Sequence, residues 1–168
     1  HGSIGRDMVS IMNESLELRV GHKVLEVGSG SGWHASTVAE IVAPSDMPKE
    51  RWGHVYTVEI ISELAESARS NIEAAGYLDR VTVICGDGSE GYALEAPYDR
   101  ILVTAAAPYV PEPFKAQLKS GGILVIPVGR VSFYQTLLRV RRENDRFLEE
   151  NLGGVAFVPL TGKYGHRL

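Results

Sequence analysis

The sequence predicts an α/β fold: a doubly wound, Rossmann-like sheet of five mostly parallel strands followed by a C-terminal antiparallel hairpin. Three observations predict it. The apolar run Val24-Leu25-Glu26-Val27 leads directly into glycines at positions 28, 30 and 32. Ala35, Val38, Ala39 and Val42 then recur at i, i+3, i+4 and i+7, the period of an amphipathic helix. Strand, glycine turn and helix make the opening unit of a sheet whose ligands sit beyond the carboxyl ends of its strands. Strand patterns at 54–60, 81–85, 98–105 and 123–128 continue it, whereas those at 133–141 and 152–158 have no helical pattern between them and must pair antiparallel.

The elements follow in order. Residues 1–6 carry no readable pattern, and Met8, Ile11, Met12 and Leu16 mark one face of a first helix. Gly21 and His22 turn the chain into the first strand, 23–27. The polar, proline-bearing stretch 44–53 reads as a surface loop after the second helix. Ser62 is the expected N-cap of the third helix, where Leu64, Ala68 and Ile72 stack at i, i+4 and i+8 and Gly76 ends the run. Pro111 and Pro113 flank the start of a fourth helix with Phe114 and Leu118 facing inward, closed by Gly121-Gly122. Residues 143–146 read as the turn of the terminal hairpin. No internal repeat or low-complexity stretch interrupts residues 1–168, which are expected to form a single domain.

Composition narrows the classes of function. With 168 residues and 44% hydrophobic content, one domain with a sizeable core is the expectation. Lys and Arg total 17 against 21 acids, so no broad basic surface points to nucleic acid. Arg139, Arg141 and Arg142 are read as a solvated strand edge that discourages aggregation. Cys85, the sole cysteine, excludes an intramolecular disulfide, suits a reducing cytoplasm and is expected to be an inert core thiol. No apolar run reaches ~18 residues and no signal-peptide pattern is visible, so the expectation is a cytoplasmic protein with no membrane partner. No metal is expected, and the oligomeric state is left open.

The glycine spacing identifies the ligand class better than the glycine count. A dinucleotide fingerprint reads G-x-G-x-x-G, with the pyrophosphate at the helix N-terminus. Here the pattern is G-x-G-x-G, and Trp33 stands where the last glycine belongs, packing on the ligand or on the core. Such bulk argues for a ligand without a pyrophosphate. Glu59 closes the second strand, where an acid accepts hydrogen bonds from ribose hydroxyls, with Ile60 beside it. Its separation from Gly28 is 59 − 28 = 31 residues against a usual ~20, and the 44–53 loop absorbs the excess. Asp87, between Gly86 and Gly88 after the third strand, either takes an adenine amino group or caps its own loop as an Asx turn. His34, second in its helix, reads as a surface or capping residue rather than a base.

E-x-G-x-G-x-G over residues 26–32 resembles the first motif of the class I methyltransferases that use S-adenosylmethionine. That likeness implies a cofactor loop of Glu26, Gly28, Ser29, Gly30, Gly32 and Trp33, joined by Glu59, Ile60, Gly86, Asp87, Gly88 and Thr104 from the later strands. Many amino-group methyltransferases carry a D/N-P-P-Y/F box after the fourth strand. This chain has Thr104-Ala105-Ala106-Ala107-Pro108 instead, small residues whose accessible backbone N–H groups would suit an anionic acceptor.

The likeness becomes specific over 24–33, 86–89, 98–106, 121–129 and 155–160, which together closely resemble the protein-L-isoaspartate O-methyltransferase family from about Met8 to Lys163. The resemblance implies methyl transfer to the free carboxylate of L-isoaspartyl, and D-aspartyl, residues of damaged proteins, with S-adenosyl-L-homocysteine as product. It further implies that Thr104, Ala105, Ala106, Val155, Ala156, Phe157 and Val158 grip the substrate peptide. The family's N-terminal covering segment is expected to be absent or shortened. Its hydroxyl-bearing G-Q-T-I-S-A-P-H-like stretch is matched only by His1-Gly2-Ser3-Ile4-Gly5-Arg6-Asp7, which makes Ser3 the nearest catalytic candidate. A carboxylate acceptor is ionised at neutral pH and needs no base, which fits a chain that offers none. The rival readings are another class I methyltransferase acting on a small molecule or RNA, and a cofactor-binding module inactive without its cover.

Overall fold

The computed structural model describes residues 6–130 and 132–167, so Ser3 lies outside the described residues. Helix α1 (Arg6–Leu16) precedes strand β1 (Lys23–Val27) and helix α2 (Trp33–Val42). Then come β2 (His54–Glu59), α3 (Ser62–Ala74), β3 (Val81–Cys85), β4 (Tyr98–Val103) and α4 (Glu112–Gln117), with β5 (Leu118–Val128), β6 (Gln135–Glu143) and β7 (Arg146–Val155) completing the strands. The seven strands form one sheet in the order β3-β2-β1-β4-β5-β6-β7. The strands β1 to β5 are parallel, and β6 and β7 run antiparallel, as the sequence predicts.

Two-residue alternation along buried strands fills both faces of the sheet. Val24, Leu102 and Val125 pack into the cluster under α1, α2 and α3, with Met12, Ala35, Val38 and Ile72. Their neighbours Leu25, Ile101 and Leu124 point into the opposite cluster with Phe114, Leu118 and Tyr98. The chain winds from β1 to β2 in one direction and returns to place β4 on the other side. That reversal opens a crevice at the carboxyl ends of β1 and β4, where ligands bind in such sheets.

Several expectations require correction. Helix α4 stops at Gln117 rather than at Gly121-Gly122, because Leu118 already pairs with Tyr98 and the chain crosses both glycines as strand, with an irregularity before Ile123. The hairpin strands are displaced from the expected spans: β7 starts at Arg146, and the turn centres on Asn144, whose φ of 58° suits that residue type. Ser62 is the first helical residue of α3, not its cap; Ile61 occupies the cap position without a side-chain bond. Cys85 is exposed at the end of the edge strand β3 instead of buried.

The arginine cluster is not a free edge either, since β6 lies inside the sheet and β7 forms its border. Arg139 grips Glu150 of β7 at 2.7 and 2.9 Å, Arg141 pairs with Glu17, and Arg142 reaches the Leu118 carbonyl and that of Asn144.

Candidate functional site

Beyond Val27 the backbone enters the left-handed region at Gly28 (φ 97°) and Gly32 (φ 87°), where a side chain is strained. Space forbids one as well. A Cβ on Gly28 would lie 2.8 Å from Thr104 Oγ1, and one on Gly32 would lie 2.9 Å from the Ala68 carbonyl of α3. The loop therefore sits between the tail of β4 and the body of α3. Its register is fixed by the Gly28 N–H donating to the Val58 carbonyl at 2.9 Å and by Asn71 Nδ2 donating to the Ser31 carbonyl at 2.9 Å.

A cavity of about 360 Å³ opens above the loop at the crevice. Gly28 and Gly30 form its floor beside Val27, and residues 58–61 with Leu64 make one wall. Thr104, Ala105 and residues 158–161 make the other, with Gly88 at the margin. Of the predicted site residues, Gly28, Gly30, Glu59, Ile60, Gly88, Thr104, Ala105 and Val158 thus meet around one space. Glu59 is 9% exposed, and its Oε2 accepts from the Ile61 N–H at 3.2 Å. Thr104 Oγ1 donates to the Gly28 carbonyl at 3.0 Å, joining the fourth strand's tail to the glycine loop.

The other predicted residues lie elsewhere. Trp33 is 42% exposed and is not part of the cavity lining. Glu26 and Ser29 are buried, and Ser29 Oγ lies 2.8 Å from Thr57 Oγ1, which donates to Glu26 Oε1 at 2.6 Å. Burial pushes the Glu26 carboxyl up to about 8, opposed by the Thr57 bond and reinforced by the Glu59 charge. Its Oε2 has no hydrogen-bond partner among the described residues.

His34 is buried rather than at the surface. Packing of α1 over the start of α2 encloses it, with Nε2 2.9 Å from Asn13 Oδ1. Burial lowers its pKa to about 4, which keeps the ring neutral.

Asp87 adopts the Asx-turn arrangement: Oδ1 accepts from the N–H of Ser89 at 3.0 Å and from its hydroxyl at 2.7 Å. The other oxygen reaches much farther along the chain, to the N–H of Lys163 at 2.9 Å, while Ser89 Oγ accepts from the Tyr164 N–H at 3.0 Å. A strap from Thr161 to Tyr164 is thereby fastened over the loop after β3. Gly162 fits only because it has no side chain, since a Cβ would lie 2.0 Å from Asp87 Oδ1. Gly86 precedes this turn and, like Asp87, is not among the cavity-lining residues.

The expected open N–H groups after β4 are partly occupied. The Ala106 N–H donates to the Val158 carbonyl at 2.7 Å, and the Leu160 N–H donates to the Ala106 carbonyl at 2.8 Å. The two segments expected to grip a substrate are bonded to each other through a parallel bridge between Ala106 and Pro159. Val155 ends β7 against Gln135, Ala156 is exposed, and the Phe157 N–H donates to Gln135 Oε1 at 2.8 Å.

Sequence reasoning missed Val27, Val58, Ile61, Leu64, Pro159, Leu160 and Thr161 as cavity lining. A signal existed for the first two, which stand at or next to the last residue of a parallel strand. Nothing local marks Thr161. Among the described residues, no cluster of His, Cys, Asp and Glu could hold a metal ion.

The sheet order, glycine loop and terminal acid of β2 define a class I methyltransferase fold. Solved structures agree. A protein-L-isoaspartate O-methyltransferase structure superposes with a TM-score of 0.86 at 29% identity, covering 97% of this chain and 49% of that one. An S-adenosylmethionine-dependent methyltransferase from Geobacter sulfurreducens, solved with S-adenosyl-L-homocysteine, matches at 0.59 and 25% identity over 73% of this chain and 48% of that one. The chain belongs to the protein-L-isoaspartate(D-aspartate) O-methyltransferase family, whose model matches residues 4–165. Relatives named protein-L-isoaspartate O-methyltransferase include those of Hyperthermus butylicus, 56% identical over 95% of this chain, and Korarchaeum cryptofilum, 55% identical over 94%. The chain spans 66% and 72% of the lengths of those two relatives.

Proposed function

We propose that this domain transfers a methyl group from S-adenosylmethionine to the free carboxylate of L-isoaspartyl residues in damaged proteins, with D-aspartyl residues as second acceptors. The observation that carries the proposal is the cavity at the β1/β4 reversal, ringed by Gly28, Glu59 and Thr104, in a chain matched to this family almost end to end. The residues fit the cofactor. A bare glycine floor admits a ligand against the backbone, a nearly buried acid stands where ribose hydroxyls would be held, and Ile60, Ile61, Leu64 and Leu160 supply apolar walls. When bound, the cofactor supplies a methyl group on a cationic sulfur.

This chain's own residues then act by placement. Glu59 orients the ribose end, the glycine loop fixes depth, and the apolar walls keep water from the acceptor. An acceptor carboxylate is already charged at neutral pH, so no residue need remove a proton. Buried, neutral His34 accordingly has no such part to play. Holding two reactants in line contributes several kcal/mol at about this scale in intramolecular models. Ala105 and Val158 flank the acceptor side, and the Ala106–Pro159 bridge holds them as one unit toward a peptide whose backbone runs through the isoaspartyl side chain. In the ester product the neighbouring backbone amide nitrogen then attacks the ester carbonyl and expels methanol, closing a succinimide without further help from the protein. The exposed free thiol of Cys85 supports action in a reducing cytoplasm.

The test is a methyl-transfer assay on matched peptides containing isoaspartate or L-aspartate, beside calorimetry with S-adenosylhomocysteine and NAD. Transfer to the isoaspartyl peptide alone, with S-adenosylhomocysteine bound and NAD ignored, is the expected result. Equal rates on both peptides would leave a generic carboxyl methyltransferase, and NAD binding of equal strength would remove the cofactor assignment.

A further inference from the structure

We propose that Thr57 and Glu26 are positioning residues that lock the glycine loop through the Ser29 hydroxyl. A loop with glycine at 28, 30 and 32 gains close approach to a ligand but loses conformational restraint, because glycine forfeits the most backbone freedom on ordering. Something must hold the loop in one shape for it to present a fixed floor. The structure supplies a hydrogen-bonded chain that enters the sheet from the second residue of the loop. Ser29 Oγ lies 2.8 Å from Thr57 Oγ1, and Thr57 donates its proton to Glu26 Oε1 at 2.6 Å. With the threonine proton so directed, the Ser29 hydroxyl donates to Thr57.

All three side chains are at least nine-tenths buried: Ser29 is 3% exposed, Thr57 0% and Glu26 1%. None of Ser29, Thr57 and Glu26 lines the cavity, and the two hydroxyls and Glu26 Oε1 are already engaged with one another. Among the described residues Glu26 Oε2 has no hydrogen-bond partner, and the Thr57 hydroxyl holds the other carboxyl oxygen. A valine pattern would have filled position 57 in a buried parallel strand. A threonine there, facing a carboxyl and a loop serine, is the mark of a built connection.

The inference rests on the cofactor reading, and its test separates the two. Thr57→Val keeps the shape and removes the hydroxyl, Thr57→Ser keeps the hydroxyl and removes the methyl, and Ser29→Ala cuts the chain at the loop. Amide hydrogen exchange of residues 28–32 in the ligand-free protein reports the loop, and calorimetry with S-adenosylhomocysteine reports the floor. Thr57→Val and Ser29→Ala should each speed loop exchange and weaken binding about tenfold, the effect of one lost hydrogen bond. Thr57→Ser should restore both, and the double variant should be no worse than either single one. Unchanged loop exchange in Thr57→Val overturns the proposal, as does a Thr57→Ser variant as defective as the valine. A wild-type protein that fails to bind S-adenosylhomocysteine would instead sink the cofactor reading, and loop exchange would then decide the connection alone.

Discussion

The two ends of the sheet are built to opposite specifications. At the amino ends of the strands, polar groups are matched within the protein. Asp99 accepts from the Lys23 N–H at 2.9 Å and lies 3.6 Å from the Lys119 ammonium. Arg100, 8% exposed, donates to the carbonyls of Leu16 and Glu17, capping the end of α1, and to the Asp99 carbonyl. The Tyr98 hydroxyl donates to the Tyr92 carbonyl. At the carboxyl ends stand glycines at positive φ, an open cavity and a buried carboxyl with one oxygen unpartnered among the described residues. One end closes a helix onto a sheet; the other keeps a shaped space.

The comparison breaks most visibly at Arg100. Arg100→Met would leave helix-end carbonyls buried without donors, and should lower stability by about 3 kcal/mol, or ~6–12 °C in melting temperature for a domain of this size. Affinity for S-adenosylhomocysteine below the transition should not change, because no part of the cavity is touched. Glu59→Ala tests the opposite end. Loss of charge-assisted hydrogen bonds to the ribose should weaken binding by about 1.5–3 kcal/mol, roughly 10- to 150-fold, with little change in melting. Equal effects of both variants on both measurements would erase the distinction between the two rims.

His34 sharpens it through pH. Its pKa in the folded protein is lowered to about 4 by burial, while an unfolded chain titrates near 6.5. The unfolded state therefore binds more protons in that window, and stability contributed by the neutral ring is lost as pH falls from 6.5 toward 4. His34→Gln should flatten that part of a melting-temperature profile by a few degrees. The smallest effect belongs to the exposed pair at the hairpin. Glu150 is about half exposed, so Glu150→Gln should cost less than about 1 kcal/mol, and the loss should vanish at high salt.

Legibility in the sequence followed the range of the deciding contact. The spans of β1 and β3 were readable because apolar runs end at glycine or at a turn residue within five positions. Helix α4 was overextended because Gly121-Gly122 looks like a stop, whereas the strand begins when Leu118 meets Tyr98 across the sheet. The hairpin slipped because a register shift between Thr136 and Leu138 and two glycines, Gly153 and Gly154, blur its alternation. Site residues divided in the same way. Gly28, Glu59 and Thr104 stand at strand ends, a position that sequence reveals. The strap over Asp87 depends on residues 76 positions apart, and the burial of His34 on a helix 21 positions earlier. No local pattern encodes either.

The strap also sets an order of events during synthesis. Residues 158–161 complete the cavity wall, and the N–H groups of Lys163 and Tyr164 fasten it to Asp87 and Ser89. Every other piece of the cavity leaves the ribosome first. When β5 has been made, the glycine floor and the Thr104–Ala105 part of that wall have been synthesised, while its 158–161 part has not. The cavity's full lining therefore exists only after translation has passed these late residues.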